Sequence, residues 1–123
     1  MARNILGVVA GLAVWIAIAV VAGVILRSAW PAYASVADAM RFTLPMMFAR
    51  LAIGALATLA AGWVIAVVAR RSRLARMTAG LLLVAVFVPQ HIMLWNKFPV
   101  WYHLTFLVSL VPLTYLGGQI SAP

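Results

Sequence analysis

The sequence of 123 residues contains no cysteine and a single acidic residue, Asp38. Without cysteine there are no disulfides, no thiolate metal sites and no haem attached through a Cys-x-x-Cys-His motif. The apolar runs contain no Asp or Glu, and proton-coupled transport normally requires an acid inside the membrane. The sequence therefore argues against a proton-coupled drug exporter of the small four-helix type.

Charge is scarce and hydrophobicity is high throughout the chain. Charged residues make up 8% of the sequence, whereas soluble domains contain about 25%. Hydrophobic residues make up 67%, the mean hydropathy is +1.16 and the net charge is +8. The basic residues lie mostly at the ends of apolar runs, where they meet lipid headgroups. The partner that this composition indicates is the lipid bilayer, and we expect no nucleic-acid binding.

Four apolar runs predict four membrane-spanning helices, at about residues 5–26, 47–69, 77–94 and 100–118. The first run, from Ile5 to Leu26, would form a helix about 33 Å long, enough to cross a hydrocarbon core of about 30 Å. We therefore predict an all-α fold, an integral membrane four-helix bundle in one transmembrane domain that covers residues 1–123.

The distribution of arginines predicts the orientation. Residues 70–76, between the second and third runs, contain four arginines, and Arg3 precedes the first run. Because positive charge is retained on the cytoplasmic side, this loop and both termini are expected in the cytoplasm. We expect a multi-pass protein of the bacterial cytoplasmic (inner) membrane.

The segment between the first two spans contains turn and cap signals. Pro31 is expected to end the first helix, and Ser35 and Asp38 have the spacing of a capping box. This spacing predicts a short interfacial helix from about Val36 to Phe42.

Small residues are spaced one helical turn apart on the first two spans. The residues of these stripes are Gly7, Gly11, Gly54, Thr58 and Gly62. Small residues allow helix backbones to approach closely, which stabilises helix packing in lipid. The stripes favour either packing of the first two helices within one chain or a homodimer face.

Arg50 is the only charge that we expect within a span. An intramembrane charge indicates a functional site by default, but the 19 residues between Arg50 and Arg70 favour a side chain that reaches the outer interface. Asp38 could pair with Arg41 or Arg50, and we expect an Asp38–Arg50 pair to hold the first loop on the bundle.

Aromatic residues and two histidines surround the turn between the third and fourth spans. The candidate functional residues of this turn are His91, Trp95, Pro99, Trp101, Tyr102 and His103. Two histidines at one level could bind haem or a metal, or relay protons. Neither has an acidic neighbour in sequence, so ordinary interfacial histidines are expected. A belt of aromatic bilayer anchors is predicted from Trp30, Trp95, Phe98, Trp101 and Tyr102.

The turn reads Trp-Asn-Lys-Phe-Pro-Val-Trp-Tyr-His over residues 95–103, and Leu110-Val-Pro and Gly117-Gly118 follow. This tail, together with Gly-Val-Val-Ala-Gly at residues 7–11, resembles a group of small bacterial four-span membrane proteins with a Trp-x-x-Phe/Met-Pro-x-Trp-Tyr-His turn. Upstream of Leu94 the likeness extends mainly to hydropathy. The group has no assigned activity, so the resemblance implies a small bacterial membrane protein and no catalytic residue.

The sequence contains no nucleophile–base–acid constellation, no phosphate-binding loop and no metal-ligand spacing. We therefore predict a non-enzymatic structural or accessory protein without a cofactor, which acts through helix packing with itself or with a membrane-protein partner. The alternative is a small channel or transporter completed by oligomerisation. A pore would be lined by Thr105, Ser109, His91 or Arg50.

Overall fold

The structure, a computed structural model, describes residues 2–37, 39, 41–70 and 72–120. Within these residues the chain is all-α and contains no strand. The helices are α1 (Ala2–Ala29), α2 (Pro31–Ala37), α3 (Leu44–Val68), α4 (Arg73–Met93) and α5 (Val100–Ile120), with a 3-10 turn at Trp95–Lys97 between α4 and α5. The four longest helices, α1, α3, α4 and α5, are long and apolar enough to cross a membrane.

The predicted all-α fold with four spans is confirmed, and each helix matches one apolar run within a few residues. The helices extend past the apolar runs where local hydrogen bonding allows it. Helix α4 begins at Arg73 because the Ser72 hydroxyl accepts a hydrogen bond from the Ala75 amide at 3.1 Å, which caps the helix. Hydropathy marks the part of a helix that suits lipid, whereas capping determines where the helix begins.

The short helix α2 lies earlier than predicted. It covers Pro31–Ala37 instead of residues 36–42, so the predicted position was wrong. Proline suits the first turn of a helix, because its missing amide donor is not needed there. Pro31 thus ends α1 and also begins α2. Ser35 Oγ donates to the Ala32 carbonyl at 2.8 Å within α2, and Asp38 of the expected capping box lies outside the described residues.

Helix α3 is the centre of the bundle, since it packs against α1 on one side and α5 on another. The middle of the bundle is filled by small and apolar side chains, among them Ala57, Ala61, Leu83 and Leu110, each at most 4% exposed. Large apolar side chains such as those of Ile16, Leu56, Val86 and Val108 lie on the outside of all four long helices. In a membrane protein this outer surface faces lipid.

The small residues of α1 pack against α3. A Cβ atom added to Gly7 would lie 2.9 Å from the Cβ of Ala69, and one added to Gly11 would overlap the side chain of Ile65. The stripe on α1 therefore packs against the second span within one chain, which is the first of the two alternatives that the sequence favoured.

The stripe on α3 packs mainly against α5 instead of α1. A Cβ on Gly54 would lie 2.8 Å from the ring of Phe106, and one on Gly62 would overlap the carbonyl of Thr114. Only Thr58 of this stripe bonds to α1, where the Trp15 indole N–H donates to its hydroxyl at 3.0 Å. All five stripe residues are therefore buried within one chain.

We expect Gly62→Ala to lower stability, because the added methyl group would collide with backbone of α5. Overpacking of this kind costs about 1–3 kcal/mol. The matched control is Gly23→Ala on α1, where an added Cβ has nothing within 4 Å and alanine favours the helix. Thermal unfolding in one neutral detergent compares the two variants. Equal melting temperatures for Gly62→Ala and wild type would contradict this packing.

Candidate functional site

One end of the bundle gathers most of the polar and aromatic side chains. It contains α2, the beginning of α3, the end of α4 and the beginning of α5, because the long helices alternate in direction. A cluster of buried residues joins these elements, formed by Tyr33, Ala37, Phe42, Met46, Phe98 and Tyr102. We call this region the aromatic end.

Arg50 lies at the centre of the aromatic end, six residues after α3 begins, or about 9 Å along the helix. Its Nη1 donates to the Tyr33 hydroxyl at 2.8 Å and its Nε donates to the Tyr102 hydroxyl at 3.2 Å. The guanidinium carbon is 4.6 Å from the ring centroid of Phe42 and 5.7 Å from that of Phe98. Neutral hydroxyls and aromatic faces therefore surround this charge.

The expected Asp38–Arg50 pair falls partly outside the described residues, since Asp38 is not among them. The Arg50 side chain turns towards Tyr33 and Tyr102 within the bundle, and the residue is only partly exposed. No carboxylate lies beside the guanidinium among the described residues.

The two tyrosine hydroxyls retain their own protons for bonding. Each oxygen accepts a hydrogen bond from Arg50, and a tyrosine hydroxyl can also donate one. Tyr33 and Tyr102 are each 4% exposed, and within the described part of the chain neither O–H has an acceptor. Two buried donors therefore remain beside a positive charge.

The two histidines are buried and bonded to each other, which differs from the expected interfacial positions. Nδ1 of His91 lies 2.6 Å from Nδ1 of His103, and Nε2 of His103 lies 3.2 Å from the carbonyl oxygen of Trp95. A carbonyl can only accept, so Nε2 of His103 carries a proton. With both rings neutral, Nδ1 of His103 accepts from Nδ1–H of His91, and Nε2 of His91 keeps its lone pair.

Aromatic rings hold the histidine pair in place. The Trp95 ring stacks on His103 with centroids 4.7 Å apart, and the Phe106 ring stacks on His91 at 4.9 Å. Among the described residues no group of three or more His, Cys, Asp or Glu side chains is placed to hold a metal ion. The stacked rings and the hydrogen bond between the two histidines together fix the orientation of His91.

A cavity of about 170 Å³ lies between Arg50 and the middle of the bundle. Its polar lining comes from Tyr33, Arg50, Gln90, His91 and Tyr102, and it is partly open to the surface. Its apolar lining includes Trp15, Ala19, Gly23, Ile53, Gly54, Phe87, Leu94, Phe98 and Phe106. The cavity therefore combines a charged group with aromatic walls.

Of the residues predicted to form an aromatic belt, Trp95 and Trp101 lie on the surface, whereas Phe98 and Tyr102 lie inside the bundle. Trp95 and Trp101 are 45% and 39% exposed, which suits bilayer anchors. Phe98 and Tyr102 are buried at 6% and 4% exposure and belong to the aromatic cluster, so their assignment to the belt was wrong. Pro99 lies just before α5, and its carbonyl accepts from the Tyr102 amide at 3.1 Å.

A second arginine is enclosed by the bundle at the opposite end, although Arg50 was expected to be the only charge within a span. Arg76 of α4 is 3% exposed. Its Nη1 donates to the Tyr115 carbonyl at 3.1 Å, and its guanidinium carbon lies 4.3 Å from the Tyr115 ring centroid. A Cβ on Gly118 would overlap the Arg76 side chain. The Gly-Gly pair that ends the last apolar run was the sequence signal for this contact.

Compared with protein-family models, with curated proteins and with solved structures, the chain matches none. The interpretation of the site therefore depends on its geometry alone.

We expect Tyr102→Phe to lower stability by about 1.5–3 kcal/mol, because it removes an acceptor from a partly buried charge. The matched control is Tyr115→Phe, which keeps the ring beneath Arg76 and removes a hydroxyl without a protein partner among the described residues. Chemical or thermal unfolding in detergent measures both. If both variants lose the same amount of stability, the Arg50–Tyr102 hydrogen bond contributes no more to stability than the hydroxyl of Tyr115.

Proposed function

We propose that the chain is a non-enzymatic accessory protein of a bacterial inner membrane, which acts through helix packing with a membrane-protein partner or a second copy. The observation that supports this proposal is the closed middle of the bundle. A channel or carrier needs a polar path across the membrane, and an accessory protein does not.

The closure is made by backbone contacts between α3 and α5. Gly62 lies against the carbonyl of Thr114, and Gly117 lies against the carbonyl of Leu59. The polar cavity at the aromatic end reaches only as far as Trp15 and Phe106, and the alanines at positions 57 and 61 fill the space beyond. Among the described residues these contacts close the middle of one copy of the chain, where a channel would require a polar path.

Of the four residues named for a pore, Arg50 and His91 line the cavity at the aromatic end, whereas Thr105 and Ser109 do not line it. Thr105 is exposed on the outside of α5, and Ser109 donates to the Phe106 carbonyl of its own helix at 2.8 Å. His91 is buried at the aromatic end. The alternative function, a channel completed by oligomerisation, would therefore need a path between copies.

The outer face of α1 favours an interaction within the membrane. Ile16, Val20 and Val24 follow one another at one-turn spacing and are about 60% exposed. An apolar face of this kind suits lipid tails or a transmembrane helix of another protein.

The proposed orientation has both termini in the cytoplasm. Arg70 and Arg73 lie at the end of the bundle opposite the aromatic end, which agrees with the retention of positive loops on the cytoplasmic side. The aromatic end would then face the periplasm.

Because the chain has no cysteine, single cysteines can test this orientation. We expect a membrane-impermeant maleimide to label Asn96→Cys in intact spheroplasts and to label Gln119→Cys only after lysis. Both positions are exposed, so access to the reagent depends on the side of the membrane. The reverse pattern would overturn the proposed orientation.

Flux and crosslinking together test the accessory role. We expect liposomes that contain the protein to release potassium, chloride and protons no faster than empty liposomes, with gramicidin as the positive control. We expect a photo-crosslinker at Val20 to capture the same membrane protein in replicate native membranes. The same group at Ala57, which is fully buried, should capture none. Solute flux above the empty-liposome rate would favour the channel.

A further inference from the structure

We propose that the cavity at the aromatic end binds an anionic oxygen group, a phosphate or a carboxylate, that is attached to an apolar chain. This proposal does not depend on the accessory role, since it concerns a site within one copy of the protein. It follows from the hydrogen-bonding groups that line the cavity, from their charge and from the walls around them.

The lining has more hydrogen-bond donors than acceptors around Arg50. The guanidinium has five N–H groups, and the two protein acceptors found for them are the hydroxyls of Tyr33 and Tyr102. Those hydroxyls present two further donors that have no acceptor among the described residues. Residues from three helices therefore bring hydrogen-bond donors to one cavity, which suits a ligand with acceptor atoms.

The charge selects an anionic acceptor. Among the described residues no carboxylate lies beside this partly buried guanidinium. Such a charge is costly in a membrane, and an anion in the cavity would offset that cost. Phosphate and carboxylate groups present several acceptor oxygens and bind arginine through two parallel hydrogen bonds. A cation would be repelled by Arg50, and a neutral carbonyl group would leave the charge uncompensated.

The histidine pair adds one acceptor to the site. His91 lines the cavity, and its Nδ1 is hydrogen-bonded to His103. The other ring nitrogen, Nε2, therefore has a lone pair that can accept a hydrogen bond from a ligand. A singly protonated phosphate, or a hydroxyl beside the anionic group, can donate to this nitrogen. Gln90 in the lining has an amide that can donate or accept.

The walls indicate that the anion is attached to an apolar group. Trp15, Phe87 and Phe106 form the wall towards the middle of the bundle. The volume of about 170 Å³ is below the range of about 300–1,000 Å³ for sites that enclose a drug-sized ligand. The cavity thus holds the anionic group and the first atoms of its chain, and the rest of the chain leaves through the open side.

The side of the cavity at α1 is open enough for such a chain to leave. Ala19 and Gly23 lie on one face of α1 and line the cavity with little side-chain volume. A Cβ built on Gly23 has no atom within 4 Å. A larger residue at this position would occupy the space that the ligand needs and would leave Arg50 unchanged.

The test uses native mass spectrometry of the full chain in a neutral detergent, titrated with dioleoyl phosphatidic acid and, separately, with dioleoylglycerol. These two lipids share their acyl chains and differ in the phosphate. We expect wild type to bind the phosphatidic acid at least about tenfold more tightly, which corresponds to about 1.4 kcal/mol. Arg50→Met should remove that preference.

The matched control is Arg41→Met, which removes an exposed arginine at the same end of the bundle and should keep the preference. A preference that survives Arg50→Met, or that is lost equally in Arg41→Met, would overturn the proposal. So would equal binding of the two lipids by wild type.

A second variant, Gly23→Leu, keeps the charge and fills the cavity. We expect it to weaken binding of the phosphatidic acid about tenfold while size-exclusion and circular dichroism profiles stay those of wild type. Should Arg50→Met fail to fold, this variant decides the question, and unchanged binding would overturn the proposal.

Inorganic phosphate distinguishes the source of the anion. If millimolar phosphate displaces phosphatidic acid from wild type, and Arg41→Met behaves alike, the site takes the free anion as well as a lipid headgroup. If phosphate does not displace the lipid, the site is specific for a headgroup on a chain. Either result supports an anion site when Arg50→Met has lost the preference for phosphatidic acid, and a preference retained in Arg50→Met overturns it.

Discussion

The structure depends on the close approach of α3 to its neighbours. In lipid no hydrophobic force drives two apolar helices together, so packing contacts and hydrogen bonds must hold the bundle. Glycine at positions 62 and 117 allows α3 and α5 to meet at their backbones, and Gly11 allows α1 to meet α3 at Ile65. The other elements are arranged around this centre. Helix α4 packs mainly against α5, and the short α2 packs against α1. Side chains of α2 also contact those at and just before the beginning of α3.

The same approach leaves little space for polar side chains, and the hydroxyls of Thr58, Ser109 and Thr114 bond within their own helices. The hydroxyls of Thr58 and Thr114 donate to carbonyls one turn earlier in their own helices, at 2.6 Å each. The Thr58 oxygen also accepts from Trp15, which links α1 to α3. Satisfied groups of this kind stabilise a dry interior. The aromatic end differs because, among its described residues, Arg50 has more N–H donors than the two hydroxyls that accept from it.

The long helices could be predicted from the sequence because lipid imposes one requirement on length and apolarity. Apolar runs therefore marked α1, α3, α4 and α5 closely. Helix α2 was misplaced, since its beginning depends on Pro31 and no apolar run marks it. The spacing of Gly54 and Gly62 indicated close packing but not the partner helix, because spacing along one helix contains no information about which neighbour lies opposite.

The candidate site was only partly predictable for a related reason. Arg50, His91, Tyr102 and His103 were named from their types and positions. Tyr33 was missed, because an aromatic residue near the end of a span is expected to anchor the protein in the bilayer. That Tyr33 and Tyr102 face the same guanidinium is a property of three helices together. Arg76 was missed because it was counted with the arginines of the loop at residues 70–76. Its side chain fits beside Gly118, which lies on a different helix, α5.

The position of α5 in the chain has a consequence for biosynthesis. During synthesis α1, α2 and α3 leave the ribosome first, and these elements contain Arg50 and Tyr33. The second hydroxyl beside Arg50, the Phe106 wall of the cavity and one member of the histidine pair all follow in α5. Until α5 is in place, Arg50 has the Tyr33 hydroxyl as an acceptor and lacks the Tyr102 hydroxyl. The pocket is therefore complete only after α5 has joined the bundle, and a chain that ends before α5 would lack the Tyr102 hydroxyl beside Arg50 and the Phe106 wall of the cavity.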